Sequence, residues 1–426
     1  MLSREDNELL CRVGPGTPMG QVFRRFWNPV LLEEELPGPD GAPVRLRVLG
    51  ENLIAFRDTS GRIGLIDEGC LHRRVSLALG RVEQGGIRCL YHGWKFDVDG
   101  KVLETPNAAD TRIRDRLRTR AYKTRVEAGM VWAYMGPPEN EPSFPNWRFM
   151  QLPTENLKVV RLDAAASYMQ VLEGGADSSH VGILHTNFAR PGWMDGDFEA
   201  NSDEDNPAAL ATNDLAPDLL LEDTQFGFHY AAVRKIIDEG DPRKNIRIVP
   251  IAMPSTRIIP SPAMQFVVFE IPIDDENTRT FSVGFRTDGQ PLVEDRYDEL
   301  RGRDNRELVD PTTWTYLGNW DNGFGQKREA MTRDWSGIRG VVMEDLAMAL
   351  SPGPILDRSE EHLVAADAAI VRARRQLLES ARGLQAGRDP IGVGADLSGV
   401  IACDDTVAAD AVWQSLAPGH HARRPS

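Results

Sequence analysis

"CLHRRVSLALGRVEQGGIRCLYHGWKF", residues 70–96, holds Cys70-x-His72 and Cys89-x-x-His92 with sixteen residues between the two pairs. It uses two of the chain's four cysteines and two of its eight histidines. Both side chains of a pair can reach one metal from a tight loop. Three readings are open: a closed tetrahedral zinc site, a [2Fe–2S] cluster in which two His replace two Cys on one iron, and coincidence. Zinc fingers usually group Cys with Cys and His with His, whereas these pairs are mixed. "YHGWKFD" sets an aromatic and a strand against the second pair. Both loops also fall in a β-rich region, where each presents its ligands from a hairpin-like tip. These features favour the cluster.

Working outward, residues 44–142 read as short β runs ("VRLRVLG", "NLIAFRD", "RIGLIDEG", "GMVWAYMG") punctuated by the turn signals "DTSG" and "DVDG". They make a small all-β domain that ends near "GPPENEPSFPNW". Residues 1–43 look like a helical lead-in packing on a second domain. At 426 residues the chain is too long for one ordinary core. The net charge of −15 argues against non-specific nucleic-acid binding. Four cysteines are too few for a disulfide framework and fit a reducing cytoplasm. The N-terminus has no apolar signal-like core, and no apolar run approaches the ~18 residues of a membrane span.

Residues 143–426 need a purpose of their own, and "QVLEGGADSSHVGILH" supplies one. Asp177-x-x-His180-x4-His185 offers two histidines and a carboxylate, a donor set suited to non-haem iron with open positions. "AAASYMQVLEGGADSSHVGILH" reads as a helix, on which Gln170, Glu173, Asp177 and His180 fall on one stripe. His180 and His185 would be roughly 140° apart on a regular helix. Both reach one ion only if the helix ends or carries a π-type turn there. The alternative is a pair of satisfied core histidines. "FGFHYAAVRKII", "IRIVPIAM", "TRIIPS", "MQFVVFEIPI" and "TFSVGFRT" read as antiparallel strands. "RSEEHLVAADAAIVRARRQLLESARGL" reads as a helix, loosely capped by Asp357 and Glu360. Residues 191–223 hold ten acids and no Lys, Arg or His, and read as a surface loop or a lid. His420 and His421 fall in a solvated tail.

The Cys-x-His/Cys-x-x-His pairs are the binding signature of Rieske proteins. With Asp177-x-x-His180-x4-His185 downstream, nearly the whole chain resembles the α (oxygenase) subunits of Rieske non-haem iron oxygenases. "VGPGTPMG", "FRRFWNPVLLEEELP", "ED" and "GPILDRSEEHL" are similar to the phthalate-dioxygenase-like branch. The resemblance implies an α+β architecture: a small Rieske [2Fe–2S] domain (44–142) and a helix-grip-type catalytic domain (143–426) with a curved antiparallel sheet. It implies Cys70 and Cys89 on one cluster iron, and His72 and His92 on the other. It implies mononuclear Fe(II) on His180, His185 and Asp345, with Glu344 the rival for the third place on chemistry alone. Asp177 would link the centres, bonding His180 in its own subunit and His92 of the next. Glu173 would support that bridge, and Gln170 would lie near the iron. The family often reads Cys-Pro-His-Arg-Gly, so Leu71 and Arg74 are departures. Pro352 is another.

The implied reaction is O2-dependent hydroxylation of an aromatic, phthalate-like carboxylate. NADH would supply electrons through a separate reductase, since no dinucleotide fingerprint is present. Aromatic O-demethylation is the alternative within the family. A Rieske electron carrier without oxygenase activity is the alternative of another class. A carboxylate substrate calls for a buried arginine, and Arg234, Arg247 and Arg257 lie on candidate pocket strands. An acidic loop over the mouth would not steer anions inward. Cross-subunit transfer calls for a homotrimer, or a dimer of trimers.

Overall fold

The computed structural model describes residues 2–417 except 186–213, 236–242, 262–263, 293–297, 299–300 and 333. Two compact units divide it. One comprises Arg12–Phe144 with Ile271–Asp275, and the other comprises Met1–Cys11, Pro145–Glu270 and Glu276–Ser426.

The first unit is β-rich. Its strands are β1 (Trp27–Leu32), β2 (Val44–Val48), β3 (Glu51–Arg57), β4 (Ile63–Asp67), β5 (Arg81–Glu83), β6 (Gly86–Arg88), β7 (Lys95–Phe96), β8 (Val102–Glu104), β9 (Ala121–Glu127) and β10 (Met130–Tyr134). One sheet has the order β1-β10-β9-β4-β3-β2, and β5 to β8 form a smaller sheet. The "DVDG" signal closes the β7–β8 hairpin. Asp97 Oδ1 accepts the Asp99 and Lys101 N–H groups at 3.0 and 2.7 Å, and Gly100 takes φ +81°. Between the sheets, Ile54, Phe56, Ile66, Ile87 and Phe96 form a core that includes Cys70, Cys89 and Trp94.

The lead-in divides differently from the expected boundary at residue 43. Residues 12–43 join the β-rich unit, because "WNPVLL" is buried at all six positions and pairs with β10. A buried Arg24–Glu51 ion pair (2.6 Å) secures the preceding helix, Pro18–Arg24. Only the helix Arg4–Cys11 belongs to the other unit.

That second unit is built on one large antiparallel sheet. Its strands are β11 (Leu157–Ala164), β12 (Asp218–Asp223), β13 (Gly227–Lys235), β14 (Arg243–Ala252), β15 (Thr256–Ser261), β16 (Met264–Pro272), β17 (Thr278–Arg286) and β18 (Cys403–Ala408). The order is β11-β17-β16-β15-β14-β13-β12, with β18 added to β14. Strand alternation sorts the two faces. Ala231, Ile246 and Ile248 face one way, into a cluster with Trp413 and Ala417. Tyr230, Arg234, Arg247 and Arg257 share the opposite face by register.

Three expectations are corrected here. The helix expected over 164–185 covers only Tyr168–Ala176, because Gly174 and Gly175 weaken it and Asp177 turns extended. Residues 218–223, placed in the acidic loop, form β12, while 191–213 lie outside the described residues. The late helix runs Ala368–Gln385 and is preceded by a 3-10 turn, Ala365–Asp367, in which Asp367, not Asp357, accepts the Val364 N–H. Asp357 instead closes a local turn on Ser359. His420 and His421 also lie outside the described residues.

Candidate active site

In the β-rich unit, Cys70–Val75 and Cys89–Trp94 are matching tight loops. Each is closed by backbone bonds: Arg74 N to Cys70 O, Cys70 N to Val75 O, Gly93 N to Cys89 O and Cys89 N to Trp94 O, all 2.8–3.0 Å. They bring the four side chains into two pairs. His72 and His92 present their Nδ1 atoms to each other at 3.1 Å. Cys70 and Cys89 are buried beneath, and burial pushes the Cys70 thiol up to about 11. Two facing nitrogens above two buried sulfurs fit a cluster with a two-Cys iron inside and a two-His iron outside. Trp94 stacks on His72 with ring centroids 5.2 Å apart, and its indole N–H donates to Asn107. Beside His92, Leu90 and Tyr91 are 60% and 53% exposed, and the Arg73 guanidinium lies over the Tyr91 ring and donates to its hydroxyl at 3.2 Å.

The departures at Leu71 and Arg74 have local accounts. Leu71 packs on the apolar cluster around the cysteines. Arg74 sits at φ +59°, a region that favours glycine. Its side chain folds back flat over Gly69 and donates to the Gly69 carbonyl at 2.9 Å, so the loop is held by a side chain.

In the second unit the helix Tyr168–Ala176 stops just before Asp177. A short 3-10 turn, His180–Gly182, then swings His180 and His185 to the same side. The helix Val341–Leu350 brings Asp345 against both. Asp345 Oδ1 lies 3.1 Å from His185 Nε2 and 3.6 Å from His180 Nε2. One ligand atom from each of the three lies within 4.8 Å of the others. Two imidazole nitrogens and one carboxylate oxygen form a donor set that fits a divalent iron.

Each histidine turns its other nitrogen to a carboxylate. His180 Nδ1 lies 3.3 Å from Asp177, and His185 Nδ1 lies 2.7 Å from Glu344. Burial pushes the Asp177 carboxyl up, but the hydrogen bond and charge of His180 outweigh it, so its value falls below the ordinary range. Burial pulls the His185 ring down. Asp345 and Glu344 on its two sides overcome that and hold it up at about 10.

Gln170 and Glu173 both border the His180/Asp345 site and are held by bonds of their own. The Gln170 amide donates to the Ala349 and Gly353 carbonyls and accepts from Leu356 N–H, clasping the segment after the Asp345 helix. Glu173 is buried between Arg358 and Arg374, at 2.7 and 2.6 Å. That Arg358 is structural and ion-paired is legible in the sequence, but its partner Glu173 is not, nor is the part played by Arg374, because each arginine lies about two hundred residues from Glu173. A hollow of about 240 Å³ opens beside Asp177, His180 and Asp345, lined also by Arg257, Met348, Pro352 and Leu356. Gly175 is required there, since any β-carbon would collide with the Arg257 side chain.

The strand arginines separate into two kinds. Arg247 pairs with Asp404 at 2.6 Å, and Arg257 pairs closely with Glu270. Arg234 is 1% exposed and donates to Ser178 O and Oγ, both at 2.8 Å. Its Nη1 has no hydrogen-bond partner among the described residues.

The Rieske [2Fe-2S] domain family matches residues 26–121, and a family described as LigXa C-terminal domain like matches residues 133–419. The chain belongs to the Rieske oxygenase α subunits. It is 41% identical over 402 residues to the phthalate 4,5-dioxygenase oxygenase subunit of Pseudomonas putida, covering 92% of this chain and 89% of that one. It is 35% identical to the 3-chlorobenzoate-3,4-dioxygenase oxygenase subunit of Comamonas testosteroni, covering 92% of each. In fold it is similar to the terminal oxygenase of carbazole 1,9a-dioxygenase from Nocardioides aromaticivorans IC177. There the TM-score is 0.56 at 17% identity, with 92% of this chain and 98% of that one covered. This Rieske oxygenase is therefore the terminal oxygenase of a ring-hydroxylating system, with a Rieske [2Fe–2S] domain and a candidate His-His-Asp iron site. Among the described residues no helix is long and apolar enough to cross a membrane.

Proposed function

We propose that the chain hydroxylates a carboxylated, phthalate-like aromatic ring, using O2 and electrons delivered by a separate NADH-dependent reductase. The observation that carries this reading is the meeting of His180, His185 and Asp345 in a chain that also holds the His72/His92 pair. Iron on the three side chains would supply O2 activation.

The residues around that site have separable tasks. Asp177 takes the His180 Nδ1 proton bond on one side and stays about one-fifth exposed on the other. That leaves it able to accept a second imidazole N–H, and we assign this to His92 of a neighbouring copy. The exposed tip formed by Leu90 and Tyr91, with Arg73 beside them, suits such an encounter, which is why a homotrimer, alone or stacked in pairs, is part of the proposal. Four free cysteines suit a reducing cytoplasm.

Substrate choice rests on Arg234. Arg247 and Arg257 already answer a carboxylate each, whereas Arg234, beside Ser178, keeps one guanidinium nitrogen unmatched among the described residues. A buried, unanswered N–H favours an anionic acceptor. The named substrates of the two relatives above, phthalate and 3-chlorobenzoate, are aromatic carboxylates. The test is product analysis with phthalates, chlorobenzoates and methoxybenzoates, run with the chain and with Arg234→Ala. The expected result is a KM for aromatic acids that rises roughly ten- to a hundredfold in the variant, with neutral analogues unaffected. Equal effects on both would sink the clamp, and demethylated methoxybenzoates as sole products would make the enzyme an O-demethylase.

A further inference from the structure

Glu344 stands next to Asp345 in sequence, and the chemistry of its side chain suits iron as well as that of Asp345. Its position does not. Adjacent residues on a helix point roughly 100° apart, so both carboxylates cannot face one ion from the same side. Asp345 meets the Nε2 edge of His185, and Glu344 reaches round to the Nδ1 edge of the same ring at 2.7 Å. Two neighbouring carboxylates thus hold one imidazole by its two ends. Both Glu344 and His185 are buried, at 4% and 5% exposure.

Glu344 is itself held. The Ser336 hydroxyl donates a short hydrogen bond to its second oxygen. Ser336 Oγ accepts the Ile338 N–H at 3.1 Å, and the Ser336 N–H is tied to Asp334 at 3.0 Å. With both oxygens engaged, the carboxylate has no freedom to swing toward the ion. An acceptor opposite Nδ1 keeps a ring proton there, so the edge that is freed for a metal is Nε2, which faces Asp345 at 3.1 Å.

We propose that Glu344 is the positioning residue for His185. It sets the tautomer and angle of that imidazole, and so the metal affinity of the site, without touching the metal. This rests on the reading of His180, His185 and Asp345 as a metal site.

The experiment uses the full chain with its cluster retained. The mononuclear site is emptied with a chelator and titrated with Co(II), read by its visible ligand-field bands. Glu344→Ala is expected to weaken Co(II) binding roughly 10–100-fold, with altered band positions, while the cluster's own visible spectrum stays as in the parent. Glu344→Gln keeps an acceptor for Nδ1–H and is expected to lose less. Glu344→Asp withdraws the carboxylate by one methylene and is expected to fall between Gln and Ala. A merely structural role would lower the melting temperature but leave affinity and bands unchanged, and that result overturns the proposal. If the alanine variant does not fold, parent-like affinity in both Gln and Asp variants overturns it equally. A different failure marks the underlying site: Co(II) bands absent from the parent, or unchanged by His185→Ala, would remove the metal reading itself.

Discussion

The two histidines of the candidate iron site are treated alike at one end and differently at the other. Both turn Nε2 toward Asp345 and Nδ1 toward a carboxylate. The His180–Asp177 arm is local, three residues apart, and both side chains keep about one-fifth of their surface. The His185–Glu344 arm joins residues 159 apart and keeps about one-twentieth. Each carboxylate has its second oxygen engaged, Asp177 by the Ser179 N–H at 2.7 Å and Glu344 by the Ser336 hydroxyl, but Asp177 also borders a hollow. The same chemical pair therefore serves two ends. An arm that borders solvent can receive a partner, and a sealed arm can only hold its ring in place.

The comparison can be broken at its foundations. Asp177 follows a helix that Glu173 pins to Arg358 and Arg374. Arg358→Ala leaves part of a buried carboxylate unanswered, and chemical unfolding should show a loss of about 3–5 kcal/mol. A loss too small to measure would mean that Arg374 alone positions the helix, and that the open arm does not depend on this network.

A smaller effect distinguishes the sealed arm by pH. In the metal-free chain His185 is raised to about 10, against an unfolded value near 6.5. Its contribution to stability is fully present below about 6.5 and is lost as pH rises through about 10. Because a bound metal must displace that proton, Co(II) affinity should rise about tenfold per pH unit through this window and then level off. A flat affinity profile from pH 7 to 9 would mean that Asp345 and Glu344 do not hold the ring charged.

How much of this was legible in the sequence follows the reach of each contact. The two Cys/His loops are short and closed by their own backbone, so spacing alone placed Cys70, His72, Cys89 and His92 together. Asp177, His180 and His185 are likewise local, and the period of the helix required an end or a π-type turn between the two histidines, though not the earlier stop at Ala176. Asp345 could be picked over Glu344 only by resemblance, because composition cannot say which of two neighbouring acids points where. The pairing of the lead-in was not legible, since nothing in "WNPVLL" announces that its mate is the strand Met130–Tyr134. Gln170 and Glu173 shared the right stripe with Asp177, yet they are engaged by the 349–358 segment and by Arg374, distant groups that no local pattern predicts.

The central claim is that the open arm passes electrons between copies and the sealed arm does not. It is tested most directly by reducing the cluster, adding substrate and O2 once, and following the cluster's visible spectrum in Asp177→Asn. Asparagine keeps the size of the side chain and removes its charge. The expected result is a variant with the parent's iron content, roughly three per chain, whose cluster stays reduced on the time scale of parent turnover. Reoxidation of the cluster at the parent's rate, with product formed in step, would contradict the assignment of Asp177 as the bridge.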